Sequence, residues 1–243
     1  MELTVLHLFP DFMSLYGEYA NVAVLRRYLE RMGVSVTLRA VSCDDPPDFG
    51  GADLIYMGAG TERKLKTALE KLLPHGDSLK AAAARGALVL FTGNAMTALG
   101  ASVTDAGGKV WPGLGLADFT TVESDKRTPE DVIAAPVLWD APAVGFMNKC
   151  SVTHGVSTPL FGRLLLGFGN EAERGAEGYV SENVFGTHIT GPALVKNPDF
   201  LDFIVRRLFQ QKGQAYAGPP PALPHQREAY EITLQELKAR AGN

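Results

Sequence analysis

Short apolar runs separated by stretches of helical periodicity fill the first hundred residues, and this alternation narrows the possible folds more than any other feature of the chain. A strand predicted at residues 3–9 leads into an amphipathic helix at 21–32, where Val22, Leu25, Leu29 and Met32 share one face. Gly33 ends that helix. Further strands are predicted at 34–41, 53–57 and 87–91, with helices at 62–72, 78–85 and 95–99, the last closed by Gly100. Parallel neighbours need crossovers of about a dozen residues or more, which these helices supply. The pattern predicts an α/β domain with a mostly parallel central sheet and helices on both faces.

The second half reads differently. Between residues 110 and 185, short β-like runs at 119–122, 143–147 and 164–168 are broken by Gly, Pro and polar turns, which predicts added strands and site loops rather than a separate domain. A helix at 199–211 places Phe200, Ile204 and Leu208 on one face. Pro219-Pro220-Pro221 and Pro224 then interrupt the chain before a polar helix at 225–240, whose modest apolar face (Tyr230, Leu234, Leu237) is expected to pack on its own domain. Residues 1–212 are read as the main domain and 213–243 as a proline-rich linker with a C-terminal helix.

Charge and composition exclude several classes. Lys and Arg number 23 against 27 Asp and Glu, a net charge of −4, and no dense basic run offers the counterion release that drives nucleic-acid binding. No stretch nears the ~20 apolar residues of a membrane span, and the N-terminus lacks the basic start and apolar core of a signal peptide. The two cysteines, Cys43 and Cys150, lie too far apart in sequence to suggest a disulfide framework or a zinc site. A cytoplasmic protein without metal or cofactor is the expectation.

Ligands of open parallel sheets bind beyond the carboxyl ends of the strands, so two turns carry the chemical interest. Gly58-Ala59-Gly60-Thr61-Glu62-Arg63 leaves a strand and opens a helix, with small residues that let backbone N–H groups face an anion or oxyanion. It lacks the third glycine and acidic partner of a dinucleotide fingerprint, and an ordinary tight turn reads equally well. Phe91-Thr92-Gly93-Asn94-Ala95 has the local shape of a nucleophile elbow. It holds no nucleophile: Thr92 and Thr97 are the nearest hydroxyls, and no base is evident beside them.

Six segments occur in a characteristic order: Leu15-Tyr16-Gly17-Glu18-Tyr19-Ala20-Asn21-Val22, the Gly58 to Arg63 turn, Gly113-Leu114-Gly115-Leu116-Ala117-Asp118-Phe119, Val144-Gly145-Phe146-Met147-Asn148, Gly167-Phe168-Gly169-Asn170 and Gly186-Thr187-His188-Ile189-Thr190-Gly191-Pro192. Over roughly residues 3–210 the chain resembles the CobB/CobQ-type class I glutamine amidotransferases, and among them the GatD-like branch. The resemblance implies a three-layer, flavodoxin-like amidotransferase fold and glutamine hydrolysis by a Cys/His pair. It also implies delivery of ammonia to a Mur-ligase-like synthetase partner in peptidoglycan or cobyric-acid-type amidation.

Carried over by position, the catalytic pair is absent. The family elbow reads Cys-Gly-Gly-Tyr-Gln, a hydrophobic pair and Gly, so anchoring on Gly100 puts Gly93 at the cysteine; a slip of one residue puts Asn94 there. The second motif reads Gly-Thr-Tyr-x-His-Gly-Pro, which puts Thr190 at the histidine and His188 at the tyrosine. Neither Gly93 nor Thr190 supplies a thiolate or an imidazole, which implies a pseudoenzyme retaining a binding apparatus. The resemblance assigns Gly58, Gly60 and Thr61 to an oxyanion-type loop, Arg127 to the glutamine carboxylate and Asn148 to a pocket wall, with glutamine or a related small molecule as the ligand. Two other readings stand beside it: an active enzyme with displaced chemistry at Cys150 or at a water activated by His188, and a stand-alone binding module. Lys149 beside Cys150 is positioned in sequence to lower its pKa, whereas His154, four residues along an extended strand, lies about 13 Å away.

Overall fold

A computed structural model describes residues 1–219 and 224–241. Five parallel strands form the centre: β1 (Glu2–Leu8), β2 (Ser35–Val41), β3 (Leu54–Met57), β4 (Leu88–Thr92) and β11 (Val184–Thr187). Their order is β11-β4-β3-β1-β2, with β10 (Tyr179–Val180) antiparallel at the β11 edge. The near-continuous apolar runs of β3 and β4 follow from this placement, since both faces of each are covered. The helices α1 (Tyr19–Arg31) and α5 (Pro198–Gln211) bury Leu25, Leu29, Phe200 and Ile204 on one side, and α2 (Glu62–Leu72) and α3 (Gly76–Ala84) bury Leu65, Leu69, Leu72 and Leu79 on the other. The three-layer α/β architecture agrees with the sequence reading.

The helix predicted at 95–99 is instead a 3-10 segment, Gly93–Leu99, which begins directly at the end of β4. The middle of the chain differs more. It builds a second, mostly antiparallel sheet from β5 (Ser102–Thr104), β6 (Val110–Pro112), β7 (Thr120–Pro136), β8 (Ala143–His154) and β9 (Phe161–Leu166). The expected run at 119–122 was too short because β7 continues through polar, solvent-facing residues that carry no apolar alternation, and the run at 143–147 because β8 continues through mostly polar, half-buried ones. Between Glu123 and Thr128 the β7–β8 register shifts, and this irregularity places Arg127 at the site.

After the short helix α4 (Ala193–Lys196), Asn197 ties the start of α5 to β8: its Oδ1 accepts from Val144 N at 2.7 Å and its Nδ2 donates to Val144 O and Ala193 O, each at 2.8 Å. The terminal helix α6 (Pro224–Ala241) returns to the second sheet, where Tyr230 and Leu237 pack with Ile133 and Val144, as its apolar face predicted. Residues 220–223 of the expected proline linker lie outside those described. Among the described residues no helix is long and apolar enough to cross a membrane.

Candidate functional site

A cavity of about 160 Å³ opens at the carboxyl ends of β3, β4 and β11, where the second sheet closes over them. It gathers Gly60, Thr61, Gly93, Asn94, Arg127, Asn148, His188 and Thr190 from five separate segments, so nearly every candidate from the sequence meets there. Gly58 does not line it. A Cβ at Gly58 would stand 2.6 Å from Glu18 Cβ and 2.9 Å from Met13 O, so that glycine makes room for the loop carrying Glu18.

Glu18 is the group beneath the cavity that the sequence reading missed. It is fully buried, and one carboxylate oxygen accepts from Thr190 Oγ1 and, at 3.0 Å, from Gly191 N. The other accepts from Thr92 Oγ1, from Tyr56 OH at 3.0 Å and from Asn21 Nδ2 at 3.1 Å. Burial pushes its carboxyl above the ordinary range, against the pull of these hydrogen bonds. Thr92 and Thr190 thus serve as props for a buried carboxylate rather than as nucleophiles.

Above Glu18 lie Gly93 and Asn94, two of the candidates from the sequence. Gly93 has φ of +62°, the left-handed backbone of a sharp strand-to-helix turn, and a Cβ on it would lie 2.5 Å from Ala59 Cβ. The Asn94 carboxamide clasps the neighbouring loop, accepting from Gly60 N at 3.0 Å and donating to Gly60 O at 2.8 Å. The N–H expected to face an oxyanion is therefore occupied by a side chain of the same chain. Thr61 caps α2, its hydroxyl accepting from Lys64 N at 3.3 Å.

Arg127 is likewise engaged. Its guanidinium pairs with Glu62 at 2.8 Å and donates to Asn148 O at 3.0 Å. Burial acts upward on the Glu62 carboxyl, but the Arg127 hydrogen bond and charge prevail and hold it below its usual range. Cys150 sits beside this pair, its thiol 3.5 Å from Glu62 Oε1, and burial together with that carboxylate pushes it up to about 11. Lys149 does not activate the thiol, contrary to the sequence expectation. It is itself buried, donates to Gly169 O, and burial drives it down to about 8. His154 pairs with Glu171 at 3.6 Å instead of approaching Cys150.

On the far wall His188 is clamped by Glu177, which accepts from His188 Nδ1 at 3.1 Å and His188 N at 2.7 Å. Burial pushes the imidazole below its ordinary value. At the mouth, Asn148 Nδ2 donates to Tyr16 OH at 2.7 Å, and Tyr16 holds an unusual φ of +63°. Glu18 and Tyr16 lay inside a segment already noted for its resemblance, but nothing in their spacing signals burial or strain. Glu62 lay inside the Gly58–Arg63 turn with no role assigned to it, and Glu177 carried no sequence signal. Among the described residues no three His, Cys, Asp or Glu side chains cluster to hold a metal.

A parallel sheet between helical layers, with the site at its carboxyl edge beside an elbow after β4, is the architecture of a class I glutamine amidotransferase. The chain belongs to the family of CobB/CobQ-like glutamine amidotransferase domains, whose model matches residues 4–198. It is 28% identical over 213 residues to the lipid II isoglutaminyl synthase (glutamine-hydrolyzing) subunit GatD of Staphylococcus aureus, covering 87% of this chain and 86% of that protein. It is 27% identical over 214 residues to the subunit of the same name from Streptococcus pneumoniae, covering 87% and 82%. A crystal structure of a glutamine amidotransferase superposes with a TM-score of 0.53 at 12% identity, over 86% of this chain and 98% of the other, a likeness of fold alone.

Proposed function

We propose that this chain is a GatD-like subunit that has kept the amidotransferase fold and lost glutamine hydrolysis, and that it works beside a Mur-ligase-like synthetase in cell-wall or cobyric-acid-type amidation. The observation that carries the reading is the Asn94 carboxamide held on both the backbone N–H and the backbone carbonyl of Gly60. A working site needs that N–H for a developing oxyanion. The left-handed Gly93 supports placing the lost nucleophile there, since an elbow imposes such a backbone on its central residue. Thr190 against Glu18 supports placing the lost base at 190. Cys150 is a poor substitute: a thiol with a pKa of about 11 holds little thiolate at neutral pH. The two cysteines, both free, fit a cytoplasmic location.

Ammonia release from glutamine tests the reading. The purified protein is expected to give no more than the blank, and turnover abolished by Cys150→Ala would establish the displaced-nucleophile alternative instead. Co-expression with a Mur-ligase-like synthetase tests the partner. Stable interfaces bury about 1,200–2,000 Å², so the pair is expected to co-elute in size exclusion at micromolar concentration, with amidation supported by ammonium salt. Separate elution, and a synthetase indifferent to this chain, would favour a stand-alone binding module.

A further inference from the structure

We infer that a second copy of this chain docks along a groove between α1 and α6, each copy setting the outer ridge of its α6 into the groove of the other about a two-fold axis. This association is independent of the chemistry of the cleft. The groove encloses about 820 Å³. Ala20, Ala23 and Val24 of α1, Val195 of α4, and Ala229 and Thr233 of α6 line it with small side chains. Such residues let a further helix approach to an interaxial distance of about 8–10 Å. Gln226 seats α6 on α4, donating to Leu194 O at 3.1 Å and to Val195 O at 2.8 Å, so the groove is walled by elements that are tied together.

Charge selects the occupant. Arg27 and Arg31 of α1 and Lys196 of α4 line the same groove; among the described residues no Asp or Glu does, and none of the three cations forms an ion pair. On a chain with a net charge of −4 this is a local positive field that suits an acidic partner. The acidic surface is on α6 itself. Beside Ala229 and Thr233, at i, i+4 and i+8, runs the ridge Glu228, Ile232 and Glu236. Ile232 is 57% exposed, an apolar side chain left over from the face on which Tyr230 and Leu237 pack. Glu228 lies 4.0 Å from exposed His225 of its own helix, and Glu236 forms no ion pair among the described residues. Because α6 both walls the groove and bears the ridge, one two-fold axis fills both grooves at once, a self-complementary contact. It joins α1 and α6 of the two copies in a four-helix arrangement, with Ile232 on small apolar residues and the two glutamates beside the unpaired cations.

Sedimentation velocity of the full chain alone, from sub-micromolar to hundreds of micromolar, tests the association. A reversible dimer is expected, weakened by added sodium chloride because exposed charges contribute to it. Ile232→Ser, a change at an exposed position, should raise the dimer dissociation constant about tenfold or more while circular dichroism and the urea midpoint stay those of the parent. Charge reversal supplies the sharper reading. Arg27→Glu with Arg31→Glu gives an acidic groove facing an acidic ridge, and Glu228→Lys with Glu236→Lys gives a basic groove facing a basic ridge. Each double variant by itself should be monomeric, whereas an equimolar mixture should form a heterodimer, since each groove then meets a ridge of opposite charge. A parent chain monomeric throughout the range would overturn the inference and leave the groove to a different protein. A dimer indifferent to Ile232→Ser and to both charge reversals would overturn it by placing the interface elsewhere, and so would folded double variants that fail to associate when mixed.

Discussion

Introducing a thiol at position 93 meets a steric obstacle before a chemical one. A Cβ there faces Ala59 at 2.5 Å on a backbone that only glycine adopts without strain. Gly93→Cys alone should therefore cost about 1–3 kcal/mol in urea unfolding, and Ala59→Gly should recover much of it. Gly93→Cys with Thr190→His is expected to resist the glutamine analogue diazo-oxo-norleucine; labelling at residue 93 should require Ala59→Gly and Asn94→Gly as well, as mass spectrometry would report. Labelling of the simple double variant would show that Ala59 and Asn94 give way easily. Lys149 offers a second residue-level check. An unfolded lysine loses its proton near ~10.4, the folded one at about 8, so between these values the unfolded chain holds more protons. Stability should then rise with pH above about 8, by roughly 3 kcal/mol at most, while the full cost of burying the charge persists below it. Lys149→Met should flatten that rise when urea midpoints are compared across the interval; parallel profiles would argue against a charged, buried Lys149.

At the scale of elements, α1, α2 and α5 were legible because each turns one apolar stripe inward. The reach of β7 was not. Its middle, from Glu123 to Asp131, alternates nothing because much of it faces solvent, and its pairing is set by β8 and β9, elements distant in sequence. The terminal helix α6 shows how much a modest stripe can achieve. Leu237 is 5% exposed against Ile133 and Val144, so Leu237→Ala should lower stability by about 2 kcal/mol, measured by denaturant unfolding. A loss within error would mean that α6 adds little to the stability of the second sheet.

For the molecule as a whole, the site is a seam. The central sheet supplies Gly60, Gly93 and Thr190 from its strand ends, the second sheet supplies Arg127 and Asn148, and the Glu62–Arg127 pair crosses between the two. That pair is partly exposed, 41% at Arg127 and 29% at Glu62, so screening limits it to under about 1 kcal/mol. Glu62→Gln should scarcely move the melting temperature, yet it should lower the Cys150 thiol pKa by removing the adjacent carboxylate, seen as faster alkylation at mildly alkaline pH. Unchanged alkylation would mean that burial alone keeps the thiol protonated.

The sequence by itself determined the layered α/β plan and the two turns at strand ends. Those features follow from local periodicity and residue identity, which need no folded chain to be read. Only the tertiary structure decided that Asn94 holds the backbone N–H and carbonyl of Gly60, that Glu62 holds Arg127, and that Glu18 and Glu177 lie buried. The Asn94–Gly60 and Glu18–Thr190 contacts join residues 34 and 172 positions apart through backbone turns and packing. The state of a carboxylate depends on the solvent and donors around it, which spacing along the chain does not specify.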